Sequence, residues 1–338
     1  MSGDIALKLK PADFASDQDV RWCPGCGDYA VLKAAQKMAA TSGLPKEDFV
    51  FVSGIGCAAR FPYYMDTYGA HTLHGRATSF ATGVKLANPD LSLWVVSGDG
   101  DLLSIGGNHT MHTMRRNVDI NIVLLNNRIY GLTKGQYSPT SELGKVTKST
   151  PLGSPETPLN PMALAVAAGC TFMARCIDVD VPRVAKTLDR AAKHRGTAFI
   201  EIYQDCNVFN HAVFFYASKK DERPRNTIQL EHGKPLIFGE NNDRGLIRRG
   251  EKIEIVELGG DVSEEDLIIH DEKSRSQAFM LSQLAHPDYP EPMGVFFADD
   301  GISTYDDTLA EQDKEARRRY GEPDLAKEIA GWESWTVE

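Results

Sequence analysis

The sequence predicts an α/β protein built on a parallel sheet. Three observations carry this. Short apolar runs rich in β-branched and aromatic residues recur at residues 49–53, 91–96 and 120–125, as expected of strands buried on both faces. Segments with helical spacing separate them, which is the βαβ alternation of a parallel sheet. Glycine or asparagine closes each run, in Gly54-Ile55-Gly56, Gly98-Asp99-Gly100-Asp101 and Asn126-Asn127. In such sheets the carboxyl ends of the strands share one edge, where ligands bind.

A chain of 338 residues has room for one large domain or two smaller ones. Its formal net charge of −10 argues against non-specific nucleic-acid binding. No apolar run approaches the roughly 18 residues of a membrane span, and the first residues lack a signal peptide's charged and apolar sections. A cytoplasmic protein with neither nucleic-acid nor membrane partners is expected. Six cysteines in that setting favour metal or redox chemistry over a disulfide framework.

In chain order, residues 1–20 are polar and predict an extended arm. Trp22-Cys23-Pro24-Gly25-Cys26-Gly27-Asp28 follows. Its Cys-x-x-Cys turn brings two thiolates to one metal centre, or forms a redox disulfide of thioredoxin type. Asp28 is expected to cap a helix whose apolar positions are Val31, Leu32, Ala35, Met38 and Ala39. A helix N-terminus beside the sulfurs favours their thiolate form.

The strand at 49–53 runs into Gly54-Ile55-Gly56-Cys57-Ala58-Ala59-Arg60. Leu73-His74-Gly75-Arg76 opens a helix over 77–87 whose small residues suit close packing on a sheet. His74 and Arg76 lie at its start, where anions are favoured. After Gly98-Asp99-Gly100-Asp101 a helix is expected from about 105 to 116, then the strand at 120–125. Residues 128–160 read as a long loop carrying Lys134, and loops of that length are functional or mobile. Helix 161–168, strand 171–177, helix 181–194 and strand 198–204 complete the repeat. Cys170 and Cys176 flank a strand and are expected in the core, whereas Cys206 follows a strand's carboxyl end. Cys23, Cys26, Cys57 and Cys206 can therefore converge on one edge.

Past residue 207 the composition shifts. Residues 218–251 are rich in charge and proline, 253–258 predict an edge strand, 277–284 a helix, 291–297 an extended segment and 309–320 a charged helix.

Asp99 and Asn127 offer a carboxylate and an amide oxygen from two strand ends, a donor set suited to Mg²⁺ beside a diphosphate. Gly98-Asp99-Gly100 followed by Asn126-Asn127 resembles the diphosphate-binding signature of thiamine diphosphate enzymes. By that resemblance Asp99, Asn127 and the carbonyl of Ile129 bind Mg²⁺.

Taken with Trp22–Gly27, Gly54-Ile55-Gly56-Cys57, His74-Gly75-Arg76 and residues 126–140, the pattern resembles the β subunit of 2-oxoacid:ferredoxin oxidoreductases, nearest the 2-oxoglutarate branch. The resemblance is dense over residues 20–215 and returns at 292–296. It implies a three-layer parallel-sheet thiamine diphosphate-binding fold over residues 21–210, with an N-terminal arm (1–20) and a C-terminal extension (211–338). It implies thiamine diphosphate and Mg²⁺ as cofactors, with one [4Fe–4S] cluster on Cys23, Cys26, Cys57 and Cys206. Ile55, Gly56, Cys57, Ala58, His74, Gly75, Arg76, Gly100, Asp101, Gly131, Leu132 and Thr133 would contact the cofactor. His74, Lys134 and Arg60 would act on the substrate, Lys134 or Arg60 meeting the second carboxylate of 2-oxoglutarate.

The implied reaction is coenzyme A-dependent oxidative decarboxylation to succinyl-CoA with electrons passed to ferredoxin, or the reverse carboxylation. The carboxylate that activates thiamine diphosphate is absent from this half of the site. An α subunit is expected to supply that Glu within an (αβ)₂ heterotetramer, and the chain alone is expected to be inactive. Pyruvate or another 2-oxoacid remains an alternative substrate. A non-redox thiamine diphosphate decarboxylase or transferase with a Cys₄ zinc site would use the same ligands.

Overall fold

The computed structural model describes residues 9–259, 262–332, 335 and 337. The strands are β1 (Phe49–Ser53), β2 (Tyr68–His71), β3 (Ser92–Gly98), β4 (Asn121–Asn126), β5 (Phe172–Ile177), β6 (Ala198–Tyr203), β7 (Thr227–Leu230), β8 (Ile237–Phe238), β9 (Arg244–Arg249), β10 (Lys252–Glu257) and β11 (Glu291–Ala298). The helices are α1 (Asp28–Thr41), α2 (Ala77–Ala87), α3 (Gly107–Arg116), α4 (Pro161–Ala167), α5 (Val181–Ala192), α6 (Phe215–Ser218), α7 (Arg223–Asn226), α8 (Arg275–Ser282), α9 (Tyr305–Tyr320) and α10 (Leu325–Ala330). None is long and apolar enough to cross a membrane among the described residues.

The main sheet has eight strands in the order β2-β1-β3-β4-β6-β5-β11-β7. From β2 to β5 every neighbouring pair is parallel. Strand periodicity divides the side chains cleanly between two faces. Phe49, Phe51, Trp94, Val96, Val123, Leu125, Ile200 and Ile202 pack on the side of α1 and α5. Val50, Val52, Leu93, Val95, Ile122, Leu124 and Phe199 pack on the side of α2, α3, α4 and α8. The result is the expected three-layer α/β fold, and burial on both faces is why β1, β3, β4 and β6 are fully or almost fully apolar.

Two regions depart from the sequence reading. Phe14, inside the expected arm, is fully buried and meets the Phe49 ring edge-on at 5.8 Å. Phe14 anchors this arm to the core, with Leu9 and Val20 partly buried against it and most of the segment exposed, while residues 1–8 lie outside the described residues. The segment after residue 210 does not stand apart either. β11 enters the main sheet antiparallel to β5, and β7 lies parallel to β11. β8, β9 and β10 make a separate antiparallel sheet, with β10 at its edge as expected.

A buried ionic cluster ties β11 to the strands beside the site. Arg175 on β5 donates from Nε to Glu201 on β6 at 2.7 Å and from Nη1 to Glu291 on β11 at 2.5 Å. The Tyr203 and Tyr216 hydroxyls also donate to Glu291, at 2.9 and 3.2 Å. Two buried carboxylates are tolerated here because charge and hydrogen bonds meet them together.

Candidate active site at the carboxyl edge of the sheet

Because β1, β3, β4 and β6 run parallel, their carboxyl ends bring Gly54–Cys57, Asp99, Asn127 and Cys206 to one edge. A cavity of about 160 Å³ opens there, lined among others by Asp28, Cys57, His74, Asp99, Asn127 and Tyr130. Ile55, Gly56, Ala58, Gly100, Asp101, Ile129, Gly131, Leu132 and Thr133 also line it.

Asp99 is 2% exposed. Its Oδ2 accepts hydrogen bonds from Ser138 Oγ at 2.5 Å and Thr140 Oγ1 at 2.6 Å. Burial pushes its carboxyl up to about 6, against the opposing pull of those hydroxyls and nearby backbone N–H groups. Thr140 also donates to Asn126 Oδ1 at 2.9 Å, and Asn126 Nδ2 donates to Glu201 at 2.8 Å. The first asparagine thus ties the turn to the ionic cluster, and the second faces the cavity. Ser138 and Thr140 lie 39 and 41 residues from Asp99 in sequence, so no local pattern marks them. If Asp99 holds Mg²⁺, as the resemblance implies, replacing both hydroxyl residues together by Ala and Val is expected to weaken that binding roughly ten- to a hundredfold. A Mg²⁺ titration of thiamine diphosphate binding checks this, and unchanged affinity would show the hydroxyls to be dispensable.

Asp101, which also lines the cavity, is tied into the surrounding loops. Its Oδ1 accepts from the backbone N–H of Ile55 at 3.0 Å and of Gly75 at 2.7 Å, and pairs with His74 Nδ1 at 2.5 Å. Its Oδ2 accepts from Ser97 Oγ at 2.5 Å. Asp101 therefore knits the loop after β1 to the start of α2 and orients His74. A Cβ at Gly54 would overlap the Asp101 carboxylate, at 2.0 Å, so only glycine fits there. Gly100 is constrained likewise: its Cβ would sit 2.1 Å from the Tyr130 ring, whose hydroxyl donates to the Gly100 carbonyl at 2.9 Å. Residues 100–105 form a π-helical turn before α3, a distortion common at functional sites.

Other expected positions are placed as follows. Arg76 Nη1 donates to the Ile105 carbonyl at 3.0 Å. Lys134 is exposed, with φ of 73°, on the loop beyond Thr133 and outside the cavity lining. Arg60 is drawn elsewhere: its guanidinium lies 5.3 and 5.7 Å from the Tyr63 and Tyr64 ring centres, and Nε donates to the Tyr64 hydroxyl at 2.8 Å. Asp28 is not a cap. Gly27 holds that position and Asp28 is the first residue of α1, 1% exposed. Burial pushes its carboxyl up to about 7, and its Oδ1 has no hydrogen-bond partner. An orphaned buried oxygen on a cavity wall is what a ligand site leaves behind when only the protein is considered.

The four cysteines meet on the same side. A Cβ at Gly131 would lie 3.6 Å from both the Cys57 and the Cys206 sulfur. Cys26 N–H donates to the Cys23 carbonyl at 3.0 Å, closing the Cys-x-x-Cys turn. Burial pushes the Cys57 thiol up to about 12, with Asp28, Cys206 and Cys23 adding to it. Cys26 is raised by burial and then by Asp28, Cys206 and Cys57. Backbone N–H groups of Phe209, Val208 and Asn210 bond the Cys206 sulfur and oppose its rise by burial. Among the described residues no three His, Cys, Asp or Glu side chains converge on one ion. A Cys₄ zinc site needs all four sulfurs about 2.3 Å from a single centre. The thiols of Cys57 and Cys206 near Gly131, with backbone N–H groups bonded to the Cys206 sulfur, are a thiolate set of the kind that an iron–sulfur cluster or zinc would use. Cys170 and Cys176 are buried in the core, as expected.

Known proteins resemble this chain along most of its length. The family described as "Thiamine pyrophosphate enzyme, C-terminal TPP binding domain" matches residues 54–202. Over 333 residues the chain is 47% identical to the 2-oxoglutarate oxidoreductase subunit KorB of Mycobacterium tuberculosis, covering 97% of this chain and 89% of that one. The chain belongs to the β subunits of the 2-oxoacid:ferredoxin oxidoreductases. This β subunit is also 38% identical to the 2-oxoglutarate synthase subunit KorB of Archaeoglobus fulgidus, over 73% of this chain and 94% of that one. Its fold matches a chain of the 2-oxoglutarate:ferredoxin oxidoreductase from Magnetococcus marinus, solved with 2-oxoglutarate, coenzyme A and succinyl-CoA bound. That match has a TM-score of 0.76 and 33% identity, covering 97% of each chain.

Proposed function

We propose that this β subunit serves a thiamine diphosphate-dependent 2-oxoglutarate:ferredoxin oxidoreductase. The complex would carry out coenzyme A-dependent oxidative decarboxylation of 2-oxoglutarate to succinyl-CoA, or the reverse carboxylation. One observation carries the reading: a single sheet edge gathers Asp99, Asn127 and the Ile129 carbonyl beside the thiols of Cys23, Cys26, Cys57 and Cys206. When bound, thiamine diphosphate supplies the carbon nucleophile and electron sink, and a [4Fe–4S] cluster passes electrons singly to ferredoxin.

The chain's own residues have separable tasks. Asp99 and Asn127 would hold Mg²⁺ through side-chain oxygens, with Ser138 and Thr140 fixing the Asp99 rotamer. Asp101 accepts from His74 Nδ1, which leaves His74 Nε2 to meet a ligand in the cavity. The backbone at Ile55–Ala58 and Gly131–Thr133, with Gly75, Arg76 and Gly100, would shape the walls around the cofactor. Four thiolates would hold the cluster, and the N–H groups around Cys206 and Cys26 would offset their charge. An α subunit would supply the activating Glu, in a cytoplasmic (αβ)₂ heterotetramer.

A second carboxylate distinguishes 2-oxoglutarate from pyruvate, and burying it without a partner is costly. Lys134 follows directly on Thr133 of the cavity wall, whereas Arg60 is held by Tyr63 and Tyr64. A charge-assisted hydrogen bond contributes about 1.5–3 kcal/mol, or roughly one to two decades in affinity. Purified αβ complex with a low-potential electron acceptor is expected to prefer 2-oxoglutarate across a 2-oxoacid panel. Lys134→Met is expected to raise the KM for 2-oxoglutarate by about that factor and leave pyruvate or 2-oxobutyrate turnover nearly unchanged. A wild-type preference for pyruvate would overturn the substrate assignment. A parallel fall on all substrates would remove Lys134 from substrate recognition.

A further inference from the structure

Gln204 stands between the two centres. It follows β6 directly and is 1% exposed. Its Oε1 accepts a hydrogen bond from Asn127 Nδ2 at 2.7 Å. Its Nε2 donates to the Cys26 sulfur at 3.3 Å and to the Asp205 carbonyl at 2.6 Å. The amide can face only one way, because the Asp205 carbonyl accepts and never donates, so the nitrogen must lie on that side. Gly27 packs close against the side chain, where an added Cβ would come within 3.0 Å of Gln204 Cγ. One immobilised amide therefore joins Asn127 to Cys26.

We propose that Gln204 is a positioning residue that transmits occupancy of the metal–diphosphate site to the cluster, raising the cluster's reduction potential when Mg²⁺ and thiamine diphosphate bind. The proposal rests on the assignment of Asn127 to Mg²⁺ and of Cys26 to the cluster made above. A cation on Asn127 Oδ1 draws electron density from that amide and makes its Nδ2–H a stronger donor to Gln204. Gln204 is polarised in turn, and its Nε2–H becomes a stronger donor to Cys26, since hydrogen bonds in a chain reinforce one another. A stronger N–H···S bond offsets charge on the sulfur and favours the reduced, more negative cluster. Electron transfer out of the thiamine site would then be most favourable when that site is loaded.

Charge on the bound cofactor also acts through space, but that part does not depend on Gln204. The two are separated by potentiometric titration of the cluster, followed by electron paramagnetic resonance, on iron-loaded αβ complex with and without Mg²⁺ and thiamine diphosphate. Wild type is expected to shift to a more positive potential on loading. Gln204→Met, similar in volume and without an N–H, is expected to start from a lower potential and to lose most of the shift. A shift of equal size in Gln204→Met, or none in wild type, would overturn the proposal. Iron content and thiamine diphosphate affinity are measured first. A wild-type complex without cluster or cofactor binding would defeat the site assignment itself, before any potential is read. If Gln204→Met fails to retain iron, Gln204→Asn, too short to reach both partners, makes the same comparison.

Discussion

Asp99→Asn is expected to abolish productive thiamine diphosphate binding while leaving the iron–sulfur absorbance intact. Asn keeps the size of the side chain and an oxygen for the Ser138 and Thr140 hydroxyls, which now donate to Asp99 at 2.5 and 2.6 Å. The fold is therefore spared two orphaned hydroxyls. The negative charge that Mg²⁺ requires is lost, inside a site where Asp99 is 2% exposed. Removing one partner of a buried ion pair costs about 3–5 kcal/mol, on the order of two to four decades in Kd. The sign of the pH dependence follows from the same carboxyl. Burial holds it up to about 6, and protons compete with Mg²⁺ only when the carboxylate is protonated. Wild-type cofactor affinity is expected to be flat above pH 6 and to fall by up to about tenfold per unit below it. Asp99→Asn loses that dependence along with the affinity. Calorimetric titration of the purified complex measures both, and near-normal affinity in Asp99→Asn would remove Asp99 from the metal site.

Much of this edge was legible because it is built from strand ends. A strand buried on both faces is mostly apolar, so β1, β3, β4 and β6 declare themselves, and the polar residues at and just after their ends are the ones presented to a ligand. Asp99, Asn127, Cys57 and Cys206 were visible for that reason. β2 was not visible: Tyr68–His71 lies at the sheet's edge, largely exposed, with no apolar run to mark it. The entry of β11 into the sheet was hidden because 291–297 reads as extended, and nothing local specifies antiparallel pairing with β5. Ser138, Thr140 and Gln204 act through contacts dozens of residues away, which no periodicity records. Asp28 misled in another way. An acid after Gly27 suits a cap, but the helix begins in the protein interior and the carboxyl lines the cavity instead. A signal for the ionic cluster was present, since Glu201 and Arg175 interrupt runs otherwise made for a buried strand.

Cysteine replacements are expected to divide six thiols into four and two. Cys170→Ser and Cys176→Ser should leave iron content unchanged. Cys170 is fully buried and donates to the Phe172 and Thr197 carbonyls at 3.3 and 3.2 Å, bonds a serine hydroxyl can keep. Cys176 bonds the Thr187 hydroxyl at 3.2 Å within the core between β5 and α5. Burial raises both thiols, to about 12 and about 11, so neither is prepared to serve as a thiolate. Burial is the largest cause for Cys26 and Cys57 too, but there Asp28 and neighbouring thiols add to it, Cys206 and Cys57 at Cys26 and Cys206 and Cys23 at Cys57, a repulsion that cluster iron would convert into attraction. Serine at Cys23, Cys26, Cys57 or Cys206 offers a poorer ligand for iron and should lower iron content and visible absorbance, with Asp99-dependent cofactor binding as the control for an intact fold. Iron lost from Cys170→Ser with that control preserved, or iron retained in all four of the other variants, would show the cluster to be held elsewhere. The two centres would then no longer share an edge, and the hydrogen-bonded link from Asn127 through Gln204 to Cys26 would no longer join them.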